Sequence, residues 1–526
     1  MSGLDDVKTR IRELSSRGLD PYLAAYRYPV TATAEEVKAR YSSLPPGSET
    51  SDRVSVAGRV WHIRRHGGIS FIDLYDHTGR IQLVVRRDVL ADNEKLRIIF
   101  ENLGKGDLIG VKGRVVKTKM GEVSVLVEDA DILAIAWRSI PFHEFGVKDP
   151  EQRYRERYLD IMLNSKVRRA IIGLYRIEYV MRRLLDEKGF VEVHTPKLQP
   201  VYGGALAKPF TTKVNALDRT VYLSISPETY LKRLVVAGLF RVYEIAVCFR
   251  NEDIDATHYP EFVQLEAYQA FADWNDMMEL TEELIATSVK EVLGDYKIEV
   301  EYGGEQKTID FSRPWRRVQL EESVEEVLGE RIREKSREEL VEIARSYGIE
   351  VADPRRGKIV EKLFERLVAP KLANPTFVTL FPRDISPLAR PYRGDPRYSE
   401  RFELYISGLE IANGYTELNN PFVQLYFFRE EERLRSSMGV EEAHPIDRDY
   451  VRALEYGMPP TGGVGIGLYR LAMVVFGLPT IKDVIPFIMT FTENVELVSE
   501  KFKEVYDYYV EKLGLKTGGR EGSIVY

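Results

Sequence analysis

Residues 249–262 read Phe249-Arg250-Asn251-Glu252-Asp253-Ile254-Asp255-Ala256-Thr257-His258-Tyr259-Pro260-Glu261-Phe262. Two apolar runs that alternate as β-strands do lie on either side of this charged stretch, at residues 242–247 and 263–268. The pattern predicts a hairpin of two strands, which would place Arg250 and Glu266 on the surface of a sheet. One hairpin would then combine an anion clamp, a carboxylate, a histidine and an aromatic ring.

A second signal near the C-terminus is a glycine-rich run, Gly462-Gly463-Val464-Gly465-Ile466-Gly467-Leu468-Tyr469-Arg470. Glycines in a strand allow the backbone to approach a ligand closely. Because apolar residues follow at positions 471 and 473–475, we predict a glycine-rich strand that feeds a buried helix. Together the two segments resemble motifs 2 and 3 of the class II aminoacyl-tRNA synthetases.

Length and composition restrict the class of protein. The chain has 526 residues, enough for two or three domains, and its 44% hydrophobic and 30% charged residues are typical of a soluble globular protein. A net charge of −7 argues against an overall basic surface, although a local basic face can still bind RNA. The single cysteine, Cys248, excludes an intramolecular disulfide and is expected to be a core residue. We expect a cytoplasmic protein without a membrane segment, because no apolar signal or spanning run occurs.

The patterning predicts an α+β protein in four parts. We expect an N-terminal helical extension over residues 1–50, an OB-fold over 51–140, a hinge over 141–165, and a catalytic domain over 166–526 with a helical insertion near 319–372. Short alternating runs after Val54, separated by Gly, Asp and Lys, predict the five-stranded β-barrel of an OB-fold. The catalytic domain is expected to be an antiparallel sheet flanked by helices, as in the class II synthetases.

The start of the expected catalytic domain predicts a helix and a strand. Helical periodicity over residues 165–188 ends at Gly189, and a strand over residues 190–196 ends at Pro196. This pair resembles motif 1 of the class II synthetases, which builds the dimer interface in that family. The resemblance therefore implies a homodimer.

Two acidic residues suggest a metal site. Residues 401–418 read as two strands joined by a glycine turn, with Glu403 on the first and Glu410 on the second. Strand pairing could bring the two carboxylates together, and like charges at close range need a cation between them. Oxygen ligands near phosphates suit Mg²⁺. The alternative is a solvated sheet face on which the two acids act separately.

Longer blocks resemble one family within the class. Residues 222–228, 231–236 and 453–463, together with the hairpin, look like the lysyl-tRNA synthetases of subclass IIb. The resemblance implies attachment of L-lysine to tRNA(Lys) through a lysyl-adenylate, with ATP as a substrate and with Mg²⁺. It assigns catalytic Arg250, Glu403, Glu410 and Arg470; ATP-binding Arg250, Asn251, Glu252, His258, Phe262, Glu403, Glu410, Gly467 and Arg470; lysine-binding Gly204, Glu228, Arg250, Glu266, Tyr268, Asn413, Tyr415 and Glu417; metal-binding Glu403 and Glu410; and anticodon-binding Phe71, Gln82 and Glu122.

The acids of the amino-acid pocket favour a cationic substrate independently of the resemblance. Glu228, Glu266 and Glu417 lie in or beside the motif strands, and a buried ammonium needs paired acids to offset its desolvation. An aspartyl enzyme would need an extra cation instead. Two alternatives stay open: an aspartyl- or asparaginyl-type synthetase, and a catalytically altered paralogue that acts as an RNA-binding protein.

Four residues depart from the family pattern. Tyr469 stands where aspartate is usual, Ser224 and Val247 where arginine is usual, and Tyr259 where asparagine is usual. We expect these departures to alter the fine geometry of the ATP site. None of them removes a residue assigned to lysine.

Overall fold

The structure, a computed structural model, describes residues 2–141, 147–302, 304–350, 353, 355–438, 445–490 and 497–515. It consists of two units, one made of residues 1–163 and 490–526 and the other of residues 164–489. Each unit has its own hydrophobic core, and both contain helices and sheets. The α+β class predicted from the sequence is confirmed.

The first unit begins with three helices, α1 (Ser2–Ser16), α2 (Pro21–Ala24) and α3 (Ala34–Arg40). Helix α1 buries Val7, Ile11 and Leu14, which recur at helical spacing and therefore share one face. Helix α3 starts at a capping box. The Thr33 side chain accepts a hydrogen bond from the backbone N–H of Glu36, and the Glu36 side chain accepts one from the backbone N–H of Thr33. These local signals define where the helices lie along the N-terminal segment.

A closed five-stranded barrel follows the three helices. Its elements are β1 (Glu49–His66), β2 (Ile69–Tyr75), β3 (Arg80–Arg86), α4 (Arg87–Asp92), α5 (Glu94–Glu101), β4 (Leu108–Lys117) and β5 (Val123–Ala134). The order around the barrel is β1-β2-β3-β5-β4, and the long strand β1 closes it by pairing with both β2 and β4. A register shift between Val60 and His62 allows β1 to bend. The predicted OB-fold barrel is confirmed, and helices α6 (Pro150–Arg155) and α7 (Arg157–Leu163) come after it.

The second unit is built on an eight-stranded sheet. Its helices are α8 (Ser165–Glu187), α9 (Glu228–Val236), α10 (Trp274–Leu293), α11 (Leu320–Leu328), α12 (Arg337–Ser346), α13 (Arg356–Leu367), α14 (Pro421–Met438), α15 (Arg448–Glu455) and α16 (Leu468–Val475). Its strands are β6 (Val191–Glu192), β7 (Leu198–Gln199), β8 (Thr211–Val214), β9 (Arg219–Leu223), β10 (Arg241–Phe249), β11 (Glu261–Ala270), β12 (Lys297–Tyr302), β13 (Glu305–Asp310), β14 (Arg316–Gln319), β15 (Thr376–Thr379), β16 (Arg401–Ile406), β17 (Leu409–Thr416) and β18 (Thr461–Gly467). The order is β14-β15-β16-β17-β18-β11-β10-β6, antiparallel except for the edge pairs β14–β15 and β6–β10.

The predicted hairpin and glycine-rich strand form the middle of this sheet. Strands β10 and β11 pair from Arg241 opposite Gln269 to Phe249 opposite Glu261. The glycine-rich strand β18 lies between β11 and β17 and leads into α16, whose residues Leu471–Val475 are buried. Both predictions are confirmed. Alternation and glycine content are properties of short segments, and they indicated the strands without knowledge of the neighbouring strands.

The strand predicted over residues 190–196 is much shorter. Only Val191 and Glu192 pair with β10. Thr195 instead donates its hydroxyl and its backbone N–H to the buried carboxylate of Glu244, and Pro196 has no N–H to donate. The helix before it behaves as predicted, since α8 is followed by Gly189 in the left-handed region at φ 76°.

Smaller elements complete the two units. The second unit also contains a two-stranded sheet, β12-β13, and a three-stranded sheet, β7-β9-β8. Helices α11, α12 and α13 pack around a separate apolar cluster that includes Phe364 and Phe381. The C-terminal helices α17 (Val498–Lys501) and α18 (Lys503–Lys512) belong to the first unit. Among the described helices, none is long and apolar enough to cross a membrane.

Candidate active site

A cavity of about 470 Å³ lies over the central strands of the large sheet. Strands β16, β17, β18 and β11 are neighbours and supply much of its lining. Because side chains alternate along a strand, Phe262, Glu266 and Tyr268 project from the same face of β11 into the cavity. Of the residues assigned to ATP or lysine, all but Asn251 line it. Asn251 is exposed, and its backbone N–H donates to the Lys208 carbonyl.

Glu266 is held by three hydrogen bonds at one end of the cavity. Its Oε1 accepts from Ser226 Oγ at 2.6 Å and from Gln264 Nε2 at 2.5 Å, and its Oε2 accepts from the Tyr268 hydroxyl at 2.7 Å. Burial, together with the neighbouring charge of Glu228, raises the pKa of Glu266 to about 7. A cation that enters the cavity would therefore favour the ionised form of this carboxyl.

Two further buried acids, Glu228 and Glu417, share an internal cation. Lys232 on α9 places its Nζ 2.5 Å from Glu228 Oε1 and in an ion pair with Glu417 Oε2. The Tyr415 hydroxyl also donates to Glu228 Oε1, at 2.5 Å. Lys232 was missed in the sequence, although it follows Glu228 by one helical turn on a face whose other buried members are Leu231 and Val235.

Glu417 presents its other oxygen to the glycine-rich strand. Its Oε1 is buried and has no hydrogen-bond partner among the described residues. Burial raises the pKa of Glu417, and the ammonium of Lys232 opposes that rise. A β-carbon at Gly463 would overlap both this oxygen and the Tyr268 ring. Glycine at position 463 is therefore what leaves the Glu417 oxygen free to meet a ligand.

Arg250 lies just beyond the end of β10 and lines the cavity. Its guanidinium carbon is 4.9 Å from the centre of the Phe262 ring, a cation–π distance. Its Nε is buried and makes no hydrogen bond within the part of the chain that the structure describes. A buried donor without a partner costs free energy unless a ligand accepts from it. Arg250 is thus placed to bind an anion beside an aromatic face.

The two acids assigned to a metal line the same cavity but are not directly opposite each other. Glu403 on β16 pairs with Asn413, and Glu410 on β17 pairs with Tyr405, with a register shift between Leu404 and Tyr405. The two strands do pair, and the charge of Glu410 acts on Glu403, so the acids are neighbours without being a directly opposed pair. The irregularity still leaves both side chains facing the cavity.

The surroundings of Glu403 fit a divalent cation. Burial is the main cause that raises the pKa of Glu403, and the negative charge of Glu410 is the second. Glu403 accepts hydrogen bonds from Arg401 at 2.6 Å and from Tyr405 at 2.8 Å. No group of three or more His, Cys, Asp or Glu side chains that could hold a metal occurs among the described residues. Mg²⁺ needs only one or two carboxylates when substrate phosphates complete its ligands, so this pair is compatible with it.

Arg470 and His258 both line the cavity and contact each other. Arg470 Nη2 is 2.8 Å from His258 Nε2, and its Nη1 donates to Glu410 Oε2 at 3.2 Å. Since a guanidinium can only donate, Nε2 accepts and Nδ1 carries the ring proton. That Nδ1 is 2.8 Å from Asp255 Oδ2. These contacts bring together two of the residues assigned to ATP.

Comparison with known proteins decides the family. Residues 149–490 match the family described as tRNA synthetases class II (D, K and N), and residues 54–133 match the OB-fold nucleic acid binding domain. The chain belongs to the class II tRNA synthetases. It is 46% identical to the lysine--tRNA ligase of Saccharolobus solfataricus over 91% of this chain and 96% of the relative, and 45% identical to that of Thermotoga maritima over 91% and 93%.

The four departures have different surroundings in this synthetase. Ser224 is buried, donates to the Ser226 carbonyl at 3.0 Å and accepts from Gln199. Val247 is exposed on β10. The Tyr259 hydroxyl accepts from the Met489 backbone at 2.7 Å. Tyr469 lines the cavity and packs against the main core of the second unit, so its ring takes a packing role at this position.

The residues assigned to the anticodon lie on the barrel of the first unit. Phe71 on β2 is half-buried against Val84, Val116 and Leu126. Gln82 on β3 is buried and accepts from Ser124 Oγ at 3.1 Å, and Glu122, just before β5, accepts from Arg80 at 2.7 Å. The Phe71 ring is therefore partly exposed to solvent, whereas the polar side chains of Gln82 and Glu122 already have hydrogen-bond partners within the first unit.

Proposed function

We propose that this synthetase attaches L-lysine to the 3′-end of tRNA(Lys) through a lysyl-adenylate. The observation that carries the proposal is the cluster of buried acids Glu228, Glu266 and Glu417 at one end of a cavity that also holds Arg250. Acids buried with so little compensating cation suit a substrate with ammonium groups. The relatives named lysine--tRNA ligase support the same substrate.

The proposed position of lysine follows from the two groups of acids. Glu266, Glu417 and Tyr268 hold the ε-ammonium, and Glu228 with the Gly204 carbonyl holds the α-ammonium. Gly204 has φ +89° and lies so close to Ser226 and Glu228 that a side chain there would overlap them. Tyr415 packs along the aliphatic stem, and Asn413 and Arg250 hold the carboxylate.

Adenylate formation needs the lysine carboxylate and the α-phosphate of ATP on either side of Arg250. A carboxylate oxygen attacks the α-phosphorus, the bond to the bridging oxygen breaks, and pyrophosphate leaves with that electron pair. Arg250 stabilises the charge on both anions, which its planar guanidinium can do in one fixed geometry. The tRNA hydroxyl then attacks the acyl carbon, and AMP leaves.

The remaining cavity residues are proposed to bind ATP. Phe262 stacks on one face of adenine and Arg470 covers the other, while Glu252, His258 and Gly467 bind its edges and phosphates. Glu403 and Glu410 are the residues that would hold Mg²⁺, which when bound neutralises phosphate charge. Asn251 is left out of this set, because its side chain does not line the cavity.

ATP–pyrophosphate exchange with each standard amino acid in turn tests the proposed function. We expect strong exchange with lysine alone, because no other standard side chain supplies an unbranched aliphatic stem with a terminal ammonium. Exchange with aspartate or asparagine would select that type of synthetase instead. If the protein binds RNA but no amino acid supports exchange, the hypothesis of a catalytically altered paralogue replaces the proposal.

Replacing Phe71 by alanine is expected to impair charging of tRNA(Lys) and leave adenylate formation intact. Loss of one stacked base should cost about 1–3 kcal/mol in tRNA binding. Charging kinetics measure the effect, and lysine-dependent exchange by the same preparation is the internal control. Equal losses in charging and exchange would show that Phe71 has no anticodon role and only supports the barrel.

We further propose that the synthetase is a homodimer through α8. Ile172, Tyr175 and Tyr179 recur at helical spacing on this helix and are exposed. Such an apolar face fits an isologous contact with a second copy. Light scattering at micromolar concentration should give the mass of a dimer. An active monomer would contradict this assignment.

We also propose that the synthetase acts in the cytoplasm.

A further inference from the structure

Lys232 is a fully buried cation directly behind the acidic end of the cavity. Its exposed fraction is 0%, and it does not itself line the cavity. Its Nζ contacts Glu228 and Glu417, and it lies 5.3 Å from the ring centre of Tyr415 and 5.9 Å from that of Tyr450. An ammonium in this place touches the substrate-binding acids and not the substrate.

The charges around Lys232 come from several elements. Burial alone would lower its pKa, but Glu228 and Glu417 raise that pKa above the ordinary value, so the ammonium stays charged. The titratable and charged groups that face this cluster are Glu228 on α9, Glu266 and Tyr268 on β11, Tyr415 on β17, Glu417 just after β17, Tyr450 on α15, and Arg250 after β10.

The charge count of the pocket is informative. Glu228, Glu266 and Glu417 carry three negative charges when ionised, and Lys232 neutralises one of them. Two negative charges remain on the acids, which equals the number of ammonium groups on free lysine, and the charge of Arg250 is matched by the carboxylate of the substrate. Without an internal cation, three buried carboxylates would face two substrate cations, and at least one acid would take up a proton.

The two oxygens of Glu417 divide the same way. Neither oxygen has a hydrogen-bond partner among the described residues, but Oε2 forms the ion pair with Lys232, whereas Oε1 is buried beside Gly463. Glu228 is likewise bound on Oε1, by Lys232 and by Tyr415. Lys232 therefore contacts one oxygen of each acid.

We propose that Lys232 is a positioning residue that keeps Glu228 and Glu417 ionised and oriented, so that the pocket matches the two ammonium groups of lysine. This inference rests on the proposed function, because it explains how that same site selects its amino acid. A lysine that only tied α9 to the segment after β17 would affect folding and not the pH dependence of substrate binding.

The test compares Lys232→Met, which keeps length and removes charge, with Lys232→Arg, which keeps charge. In exchange assays at about pH 7 we expect Lys232→Met to raise the KM for lysine about tenfold or more and to change the KM for ATP by less than about twofold. The defect should shrink as pH rises toward about 8.5. Carboxyls with raised pKa must lose protons before they bind ammonium, so affinity increases as pH passes through that pKa.

Arg355→Met is the matched control. Arg355 is a buried cation of the same unit that pairs with Asp353 and Glu431 and does not line the cavity. The Arg355→Met substitution should lower thermal stability and leave the KM for lysine and the pH profile of that KM unchanged. Lys232→Arg should keep a wild-type pH profile even if its KM changes.

Proton release measured by calorimetry in buffers of different ionisation enthalpy keeps the inference testable if Lys232→Met does not fold. The wild type should release well under one proton on binding lysine at about pH 8, and Lys232→Met about one more. Release of a full proton by the wild type, or a Lys232→Met variant with wild-type lysine KM and pH profile, overturns the inference. If the wild type shows no lysine exchange at all, the proposed function itself has failed.

Discussion

Replacing Arg250 by alanine is expected to lower the rate of lysine-dependent exchange by about 10³-fold or more. Arg250 lines the cavity together with the three acids and lies beside the Phe262 ring, and its buried Nε has no partner among the described residues. In the proposed reaction it contacts both anions at the point where charge develops. Its removal should therefore act on kcat as well as on both KM values. Single-turnover adenylate formation measures the effect directly.

Two further variants separate the geometry of Arg250 from its charge. Arg250→Lys should recover only part of the rate, because an ammonium cannot hold two anions in one plane. Arg397→Ala is the control, since Arg397 also lies beside an aromatic ring, that of Tyr398 at 5.9 Å, but pairs with Asp395 away from the cavity. Retention of activity within about tenfold by Arg250→Ala would remove Arg250 from the reaction.

Replacing Glu417 by glutamine is expected to weaken lysine binding by about 3 kcal/mol, or roughly 100-fold. The change keeps the shape of the side chain and removes the charge that the ε-ammonium meets. Lys232 keeps Glu228 as a partner, so the fold should persist. The KM for lysine in exchange should rise strongly, and the KM for ATP should stay close to that of the wild type.

Glu321→Gln controls for the loss of any buried carboxylate. Glu321 is buried, binds Arg356 and the Tyr398 hydroxyl, and does not line the cavity. The Glu321→Gln substitution should lower the stability of the fold without changing the KM for lysine. If Glu417→Gln leaves that KM unchanged, or raises the KM for ATP equally, then Glu417 does not bind the substrate ammonium.

Local patterns were sufficient for the central elements of the fold. Alternation over residues 242–247 and 263–268 predicted β10 and β11, and Gly189 marked the end of α8. The strand after α8 was overestimated, because apolar alternation there does not reveal that only Val191 and Glu192 find a partner strand. Pairing depends on a neighbour that is distant in the chain.

The site was predicted as a set of residues, and only the structure describes how they meet. Glu403 and Glu410 line one cavity, but an irregularity between Leu404 and Tyr405 sets their register, and no residue type at that point signals it. Asn251 belongs to the motif but is exposed and does not line the cavity. A motif identifies residues that act together, whereas the direction of each side chain depends on the local backbone.

By itself the sequence determined the family resemblance, the strands that carry Arg250 and Glu266, and an acidic pocket that favours a cationic amino acid. These features follow from residue type and spacing within short segments. Only the tertiary structure decided that Lys232 lies between Glu228 and Glu417. Residues 232 and 417 are far apart along the chain, and a lysine on a short helix normally extends into water. Packing of α9 against the sheet buries the charge of Lys232 behind the pocket, and burial makes the balance of nearby charges decisive.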